Sequence, residues 1–182
     1  MKNTKLSLQD LMMIAMCTAI IAVMAQFSIP MPAGVPMTMQ TFAITLVAVI
    51  LGAKRGGISV LIYILLGAVG VPVFANFTGG LHLLADPTGG FLWSFPLMAY
   101  LIGFGAERYS HSKLSFVLFL TLGTVVNYTA GVLFFCLITK LSISAGIAAC
   151  VLPFIPTAVI KAVLASAIGL KMKGRLAQAV WN

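Results

Sequence analysis

One lysine stands where a charge is hard to keep. Lys161 lies in "PFIPTAVIKAVLASAIGLKMK", with apolar neighbours on both sides and no adjacent acid. Ten residues separate it from Lys171, which is about 15 Å along a helix, so it cannot share that basic edge. An ammonium at mid-membrane is unfavourable by at least ~2.5 kcal/mol. The position therefore either faces a cavity and binds an anion, or sends its stem to the outer interface, which Pro156 places close by.

A second polar feature is "ADPTGGFLW", Ala85 to Trp93, in otherwise apolar surroundings. Asp86 is the only acid away from Asp10 and Glu107. It can accept a hydrogen bond from a ligand N–H or pair with Lys161, and the same residues are also good turn chemistry. Pro87 restricts one φ, and Gly89 and Gly90 allow close backbone approach. Thr88 or Gly89 starts a helix whose N-terminal N–H groups favour an acceptor or anion. Gln40, Asn76, Trp93, Tyr100, Asn127 and Tyr128 are the other polar residues in or beside apolar runs. Gln40 and Asn76 can reach an outer pocket, whereas Asn127 serves equally as a hydrogen bond between helices. Together they describe a modest polar lining with aromatic walls, suited to a small organic ligand.

The elements that must position these groups are membrane helices. Of 182 residues, 61% are hydrophobic and 8% charged, with a mean hydropathy of +1.12. Too few charges exist to coat a soluble domain, and apolar runs of spanning length recur throughout. The expectation is one all-α integral membrane domain over residues 1–182, a bundle of six transmembrane helices. Helix 1 covers about Ser7–Ile29 and stops at Pro30, Pro32 and Pro36. The others cover about Thr38–Ala53, a span that follows a break at Gly56-Gly57 and ends near Gly70, Gly90–Tyr109, Leu114–Thr139, and a proline-interrupted last helix reaching Lys171. The charge-free run Leu11–Phe27 exceeds a normal signal-peptide core of about 7–15 residues, so it is expected to be a retained helix.

The net charge of +8 does not indicate nucleic acid. Lys2, Lys5, Lys54, Arg55, Arg108, Lys113, Lys171, Lys173 and Arg175 sit at the edges of apolar runs on one side, which leaves Lys140 and Lys161 on the outer side or in the membrane. The positive-inside rule then places both termini in the cytoplasm. Three connections face outward: Pro30–Met37, Val71–Gly89 and the one near Lys140. Val73–Gly90 has too many helix breakers for a span and is too apolar for a wet loop. It is expected to wall a pocket, because irregular backbone at membrane depth must be buried or line a cavity.

Ala15, Ala19 and Ala22 form a small-residue stripe on helix 1, suited to close packing within the bundle or against a partner. Cys17, Cys136 and Cys150 lack CxxC spacing and a histidine cluster, so no metal or disulfide is expected. The chain has no G-x-x-x-x-G-K-[ST] phosphate loop, HExxH or GxSxG motif, so neither ATP hydrolysis by that route nor another enzymatic activity is expected.

The segments "VPMTMQTFAITLVAVILGAKRGGISVLIYILLGAVGVPVF", "DPTGGFLWSF" and "PFIPTAVIKA" resemble the BioY family across essentially the whole chain. These are the biotin-binding substrate-specificity (S) components of energy-coupling factor (ECF) transporters. Matching elements are P-T-x-Q (Pro36 to Gln40), G-x-P-V-F (Gly70 to Phe74) and P-T-G-G (Pro87 to Gly90). The resemblance implies a six-helix protein that captures biotin at the outer face of a prokaryotic plasma membrane. It would work with a transmembrane coupling subunit and two ATPase subunits, so that ATP is consumed on other chains. No cofactor is implied. Ala15-x-x-x-Ala19 would dock the coupling subunit, Lys161 would meet the valerate carboxylate, and Asp86, Asn76 or Asn127 would bond the ureido ring. Two departures stand out: Asp86 and Phe91 flank P-T-G-G, and Thr157-Ala158 replace the family's Gly-Asp after P-F-I-P. A stand-alone secondary transporter or channel for biotin or another small organic anion is the alternative.

Overall fold

The computed structural model describes residues 6–32, 34–109 and 112–180; Lys2 and Lys5 lie outside them. Six helices run in the order α1 (Leu8–Ala25), α2 (Gln40–Ala68), α3 (Gly89–Arg108), α4 (Lys113–Thr139), α5 (Ile143–Cys150) and α6 (Ile155–Val180). A two-stranded antiparallel ribbon, β1 (Ser28–Ile29) with β2 (Met37–Thr38), lies between α1 and α2. Short 3₁₀ turns occupy Ala75–Phe77, Leu81–Leu84 and Leu152–Phe154. Among the described residues, five helical stretches are long and apolar enough to cross a membrane: Leu8–Ala25, Gln40–Ala68, Gly89–Arg108, Lys113–Thr139 and Ile143–Leu176.

The chain starts α1 with a reciprocal cap. Asp10 N donates to Ser7 Oγ (3.1 Å) and Ser7 N donates to Asp10 Oδ2 (3.0 Å), satisfying two donors that a helix start otherwise leaves open. The helix ends earlier than its apolar run suggests. Gln26 caps it, and Ser28–Ile29 instead pair with Met37–Thr38.

Helix α2 is a reversal rather than a rod. Gly52 has φ 81° and ψ −172°, a conformation open to glycine and closed to most side chains. Gln40 and Tyr63 would be roughly 35 Å apart along a straight helix, yet Gln40 Nε2 lies 2.6 Å from Tyr63 Oη. A Cβ at Gly56 would meet Ala48 Cα at 3.0 Å. Both pairs are centred on Gly52, so arms 40–51 and 53–68 lie antiparallel. The expected break at Gly56-Gly57 thus falls earlier, and Lys54, Arg55 and Gly56 are already helical. The reason is steric: Gly52 packs on α3, where a Cβ would strike the Glu107 side chain.

This hairpin is the hub, packed against α1, α3 and α6, while α4 packs on α3 and α5 on α4. Its contacts gather the basic edges at one end. Arg55 Nε bonds Asp10 Oδ1 at 2.8 Å, and Lys173 Nζ donates to Ala106 O at 2.8 Å. The ribbon and the 74–88 segment lie at the other end. Buried Met13, Ile14, Cys17, Thr18 and Ile21 of α1 recur at helical spacing against the hairpin, where Thr18 Oγ1 donates to Ser59 O at 3.0 Å.

Candidate functional site

At the ribbon end, a cavity of about 340 Å³ opens between the 30–41 and 74–88 segments and helices α3, α4 and α6. Its size suits a small organic ligand. Met31, Val35, Phe74, Phe91, Phe95 and Phe154 supply apolar wall. Of the residues named from sequence as ligand contacts or polar lining, Gln40, Asn76, Thr88, Asn127, Tyr128 and Lys161 converge on it, whereas Tyr100 lies outside it. Among the described residues none of the lining is acidic. A recess of about 20 Å³ extends the site between Asn127, Ala158 and Lys161.

Lys161 enters from α6, half-buried, and its Nζ donates to the Thr38 carbonyl at 2.7 Å. Thr38 belongs to β2, and its position is set from beneath. Thr38 Oγ1 donates to Gln40 Oε1 at 2.9 Å, and Gln40 Nε2 donates to Tyr63 Oη at 2.6 Å. Gln40 is therefore occupied at both ends of its amide and works as a brace between Thr38 and the second arm of α2. Tyr63, fully buried, is a contributor that sequence reasoning missed; its ring also meets Phe74 edge-on at 5.6 Å. An ammonium has three donors, so the Thr38 contact leaves two for a ligand.

Asn127 sits on the buried stripe of α4 that runs Phe116, Leu120, Gly123, Asn127, Gly131, Phe135. It is only 2% exposed. Its Nδ2 donates to Phe91 O at 3.0 Å and to Ser94 Oγ at 2.8 Å. Asn127 thus joins α4 to α3 and also lines the cavity. Tyr128 packs its ring edge-on against Phe91, with centroids 6.2 Å apart.

Asn76 lines the cavity from a stretch of left-handed backbone. Asn76 and Phe77 have φ of 58° and 56°, the left-handed region that non-glycine residues rarely adopt. Gln26, at the end of α1, holds this stretch. Its Oε1 accepts from Phe77 N at 2.7 Å, and its Nε2 donates to Ala22 O at 2.9 Å and Val73 O at 3.2 Å. The only sequence trace of this role is a glutamine ending an apolar helix just before the proline cluster.

Asp86, Gly89, Gly90 and Trp93 lie outside the lining. Asp86 shapes the turn through its backbone, with its N bonded to His82 O at 3.0 Å and its O to Gly89 N at 2.7 Å. Among the described residues its carboxylate has no hydrogen bond or ion pair. Gly89 packs on the Leu84 carbonyl, and Gly90 on Ala130 O (2.6 Å from a Cβ placed there) and Phe134. Their close approach is to this chain's own backbone: Gly89 seats the start of α3 on the 81–84 turn, and Gly90 brings α3 against α4. Trp93 is 59% exposed, and its indole N–H bonds Leu84 O at 2.9 Å, so its ring points away from the site. Thr88 caps α3 without a side-chain bond to it. Ala15 and Ala19 are exposed on α1, while Ala22 is half-buried against the core. Among the described residues no three His, Cys, Asp or Glu side chains converge as metal ligands.

Fold and site define a helical membrane protein with a small-molecule pocket at one end of its bundle. The chain belongs to the BioY family, whose model matches residues 1–178. It is 36% identical over 172 residues to biotin transporter BioY2 of Lactococcus lactis subsp. cremoris, covering 94% of this chain and 93% of that one. It is 42% identical over 162 residues to biotin transporter BioY of Thermotoga maritima, covering 86% and 90%. The fold is similar to a crystal structure of the S-component for biotin from an ECF-type ABC transporter, with TM-score 0.84, 26% identity, and coverage of 96% and 95%.

Proposed function

We propose that the protein is the biotin-capturing S component of an ECF-type transporter, acting in a prokaryotic plasma membrane. The observation that carries this reading is Lys161. A half-buried ammonium with no acidic neighbour in the lining faces a cavity of about 340 Å³, which suits a ligand with one anionic end and an apolar body. Family membership and the biotin transporters it resembles support the choice of biotin.

In this reading the two arms of α2 count as separate spans, making six in one domain. The basic end, with Lys54, Arg55, Arg108 and Lys173, faces the cytoplasm by the positive-inside rule. Both termini are then cytoplasmic and the cavity faces outward. Lys161 meets the valerate carboxylate, Asn127 and Asn76 meet the ureido ring, and Phe91, Phe95 and Tyr128 pack on the apolar body. Ala15 and Ala19, exposed on α1, receive a transmembrane coupling subunit. Two ATPase subunits on other chains supply the energy, and biotin is cargo rather than cofactor.

The test is to purify the chain, titrate it with biotin, and measure biotin uptake in cells with and without an ECF module. Submicromolar binding and module-enhanced uptake are expected. No binding at micromolar biotin would overturn the reading, and full uptake without the module would favour a stand-alone carrier.

A further inference from the structure

A primary amide can offer a ligand either its oxygen or its N–H₂ group, and the difference decides what the site selects. At Asn127 the choice is already made. The carbonyl of Phe91 is an acceptor only, and it lies 3.0 Å from Nδ2. The second amide hydrogen goes to Ser94 Oγ at 2.8 Å. Ser94 is itself oriented from below, because its hydroxyl sits 2.9 Å from Gly90 O and 3.1 Å from Phe91 O. A hydroxyl has one hydrogen. Once that hydrogen is given to an α3 carbonyl, a lone pair is aimed at Asn127.

Both amide hydrogens are thus consumed inside the protein, and Oδ1 is what remains for the cavity. The buried side-chain oxygens without a partner, among the described residues, are those of Ser28 and Ser166; Asn127 Oδ1 is not one of them, so it is open to the cavity its residue lines. The other polar lining groups discriminate less or in the opposite sense. Threonine and tyrosine hydroxyls and the Asn76 amide donate or accept, Gln40 is bonded at both ends of its amide, Lys161 only donates, and among the described residues none of the lining is acidic.

We infer that Ser94, which does not line the cavity, is a specificity-determining positioning residue. It holds Asn127 so that the site meets a ligand with an acceptor only, selecting a ring N–H at that point and rejecting a ligand acceptor there. The inference rests on the biotin reading and deepens it, since biotin's ureido ring carries such N–H groups. Loss of the Ser94 hydroxyl leaves one amide hydrogen unpaired at a buried site. The amide is then no longer tied from both sides, and its preference for a donor weakens.

The experiment compares biotin with a ring N-methylated biotin by titration of the purified protein, wild type against Ser94→Ala and the near-isosteric Ser94→Cys. The wild type is expected to prefer biotin by about tenfold or more, the value of one hydrogen bond to a well-held acceptor. The preference should fall several-fold in Ser94→Ala and by less in Ser94→Cys. A bulk effect of the methyl group is common to all three proteins, so the change in ratio isolates the amide. A packing role alone would weaken both ligands equally and leave the ratio unchanged, which overturns the inference; where Ser94→Ala does not fold, an unchanged ratio in Ser94→Cys overturns it. Equal wild-type affinity for the two ligands overturns the acceptor assignment while leaving the biotin reading intact. Failure of the wild type to bind biotin overturns both.

Discussion

The Lys161 ammonium is held 2.7 Å from the carbonyl oxygen of Thr38, a residue 123 positions earlier in the chain. The contact ties α6 to the ribbon that borders the cavity. It also keeps a charge on the cavity wall that has no counter-ion among the described residues, and a carbonyl dipole offsets only part of what water would supply. A ligand anion completes the arrangement.

Replacing Lys161 by methionine should therefore weaken biotin binding by about 10- to 100-fold, the range of a charge-assisted hydrogen bond. A biotin analogue lacking the carboxylate should lose less than about threefold on the same scale. Equal losses for the two ligands would place the ammonium at the ring instead, by way of the recess it shares with Asn127. Asp86→Asn is the contrasting change: its carboxylate lies outside the lining, and affinity should stay within about twofold.

Tyr63→Phe removes what is, among the described residues, the only acceptor of Gln40 Nε2, leaving a buried N–H₂ without it. A loss of about 1–3 kcal/mol in stability follows, read as a lower melting temperature in detergent. Biotin affinity should fall as well, because Thr38 and hence Lys161 lose their brace. Unchanged stability would mean that Gln40 finds another acceptor.

Gly52→Ala meets two obstacles at once. The backbone has φ 81° and ψ −172°, a region essentially restricted to glycine and unfavourable for an L-residue by about 1–3 kcal/mol, and the new methyl group strikes Glu107. Adding Glu107→Ala should restore part of the lost stability but not the backbone share. Full rescue by the second change would show that the reversal tolerates a side chain, against the geometry described.

Ala19→Trp adds bulk to the exposed face of α1 while leaving the cavity residues untouched. Uptake that depends on the coupling module should fall by an order of magnitude or more, because small-residue packing tolerates no large side chain. Biotin binding to the isolated protein should stay the same. Normal uptake would remove Ala15 and Ala19 from the docking role.

Much of the site was legible from the chain alone, for a physical reason. Charge and hydrogen-bonding groups are conspicuous in a membrane span because each must be satisfied there. Lys161 and Asn127 stand out on that ground, Asn76 by lying in an apolar connection between spans, and the basic edges by their clustering. What local composition did not give was which residues line the cavity. Asp86, Gly89 and Gly90 look like a binding turn, yet the glycines admit Ala130 O and the Leu84 carbonyl. Composition shows that something comes close to a glycine, not what.

Gln26, Tyr63 and Ser94 carry the opposite lesson. Each is unremarked in sequence because a lone hydroxyl or amide in a helix is easily satisfied by its own backbone. Their roles arise from partners 51, 23 and 33 residues away. Sequence by itself determined the class, the apolar spans, the basic edges and which few groups needed a reason to be where they are, since hydropathy and charge are local properties. Tertiary structure alone decided that α2 reverses at Gly52, that Lys161 leans on Thr38, and that Asn127 turns its oxygen to the cavity. Those outcomes depend on which donor meets which acceptor across helices, and only the packed fold brings them within 3 Å of each other.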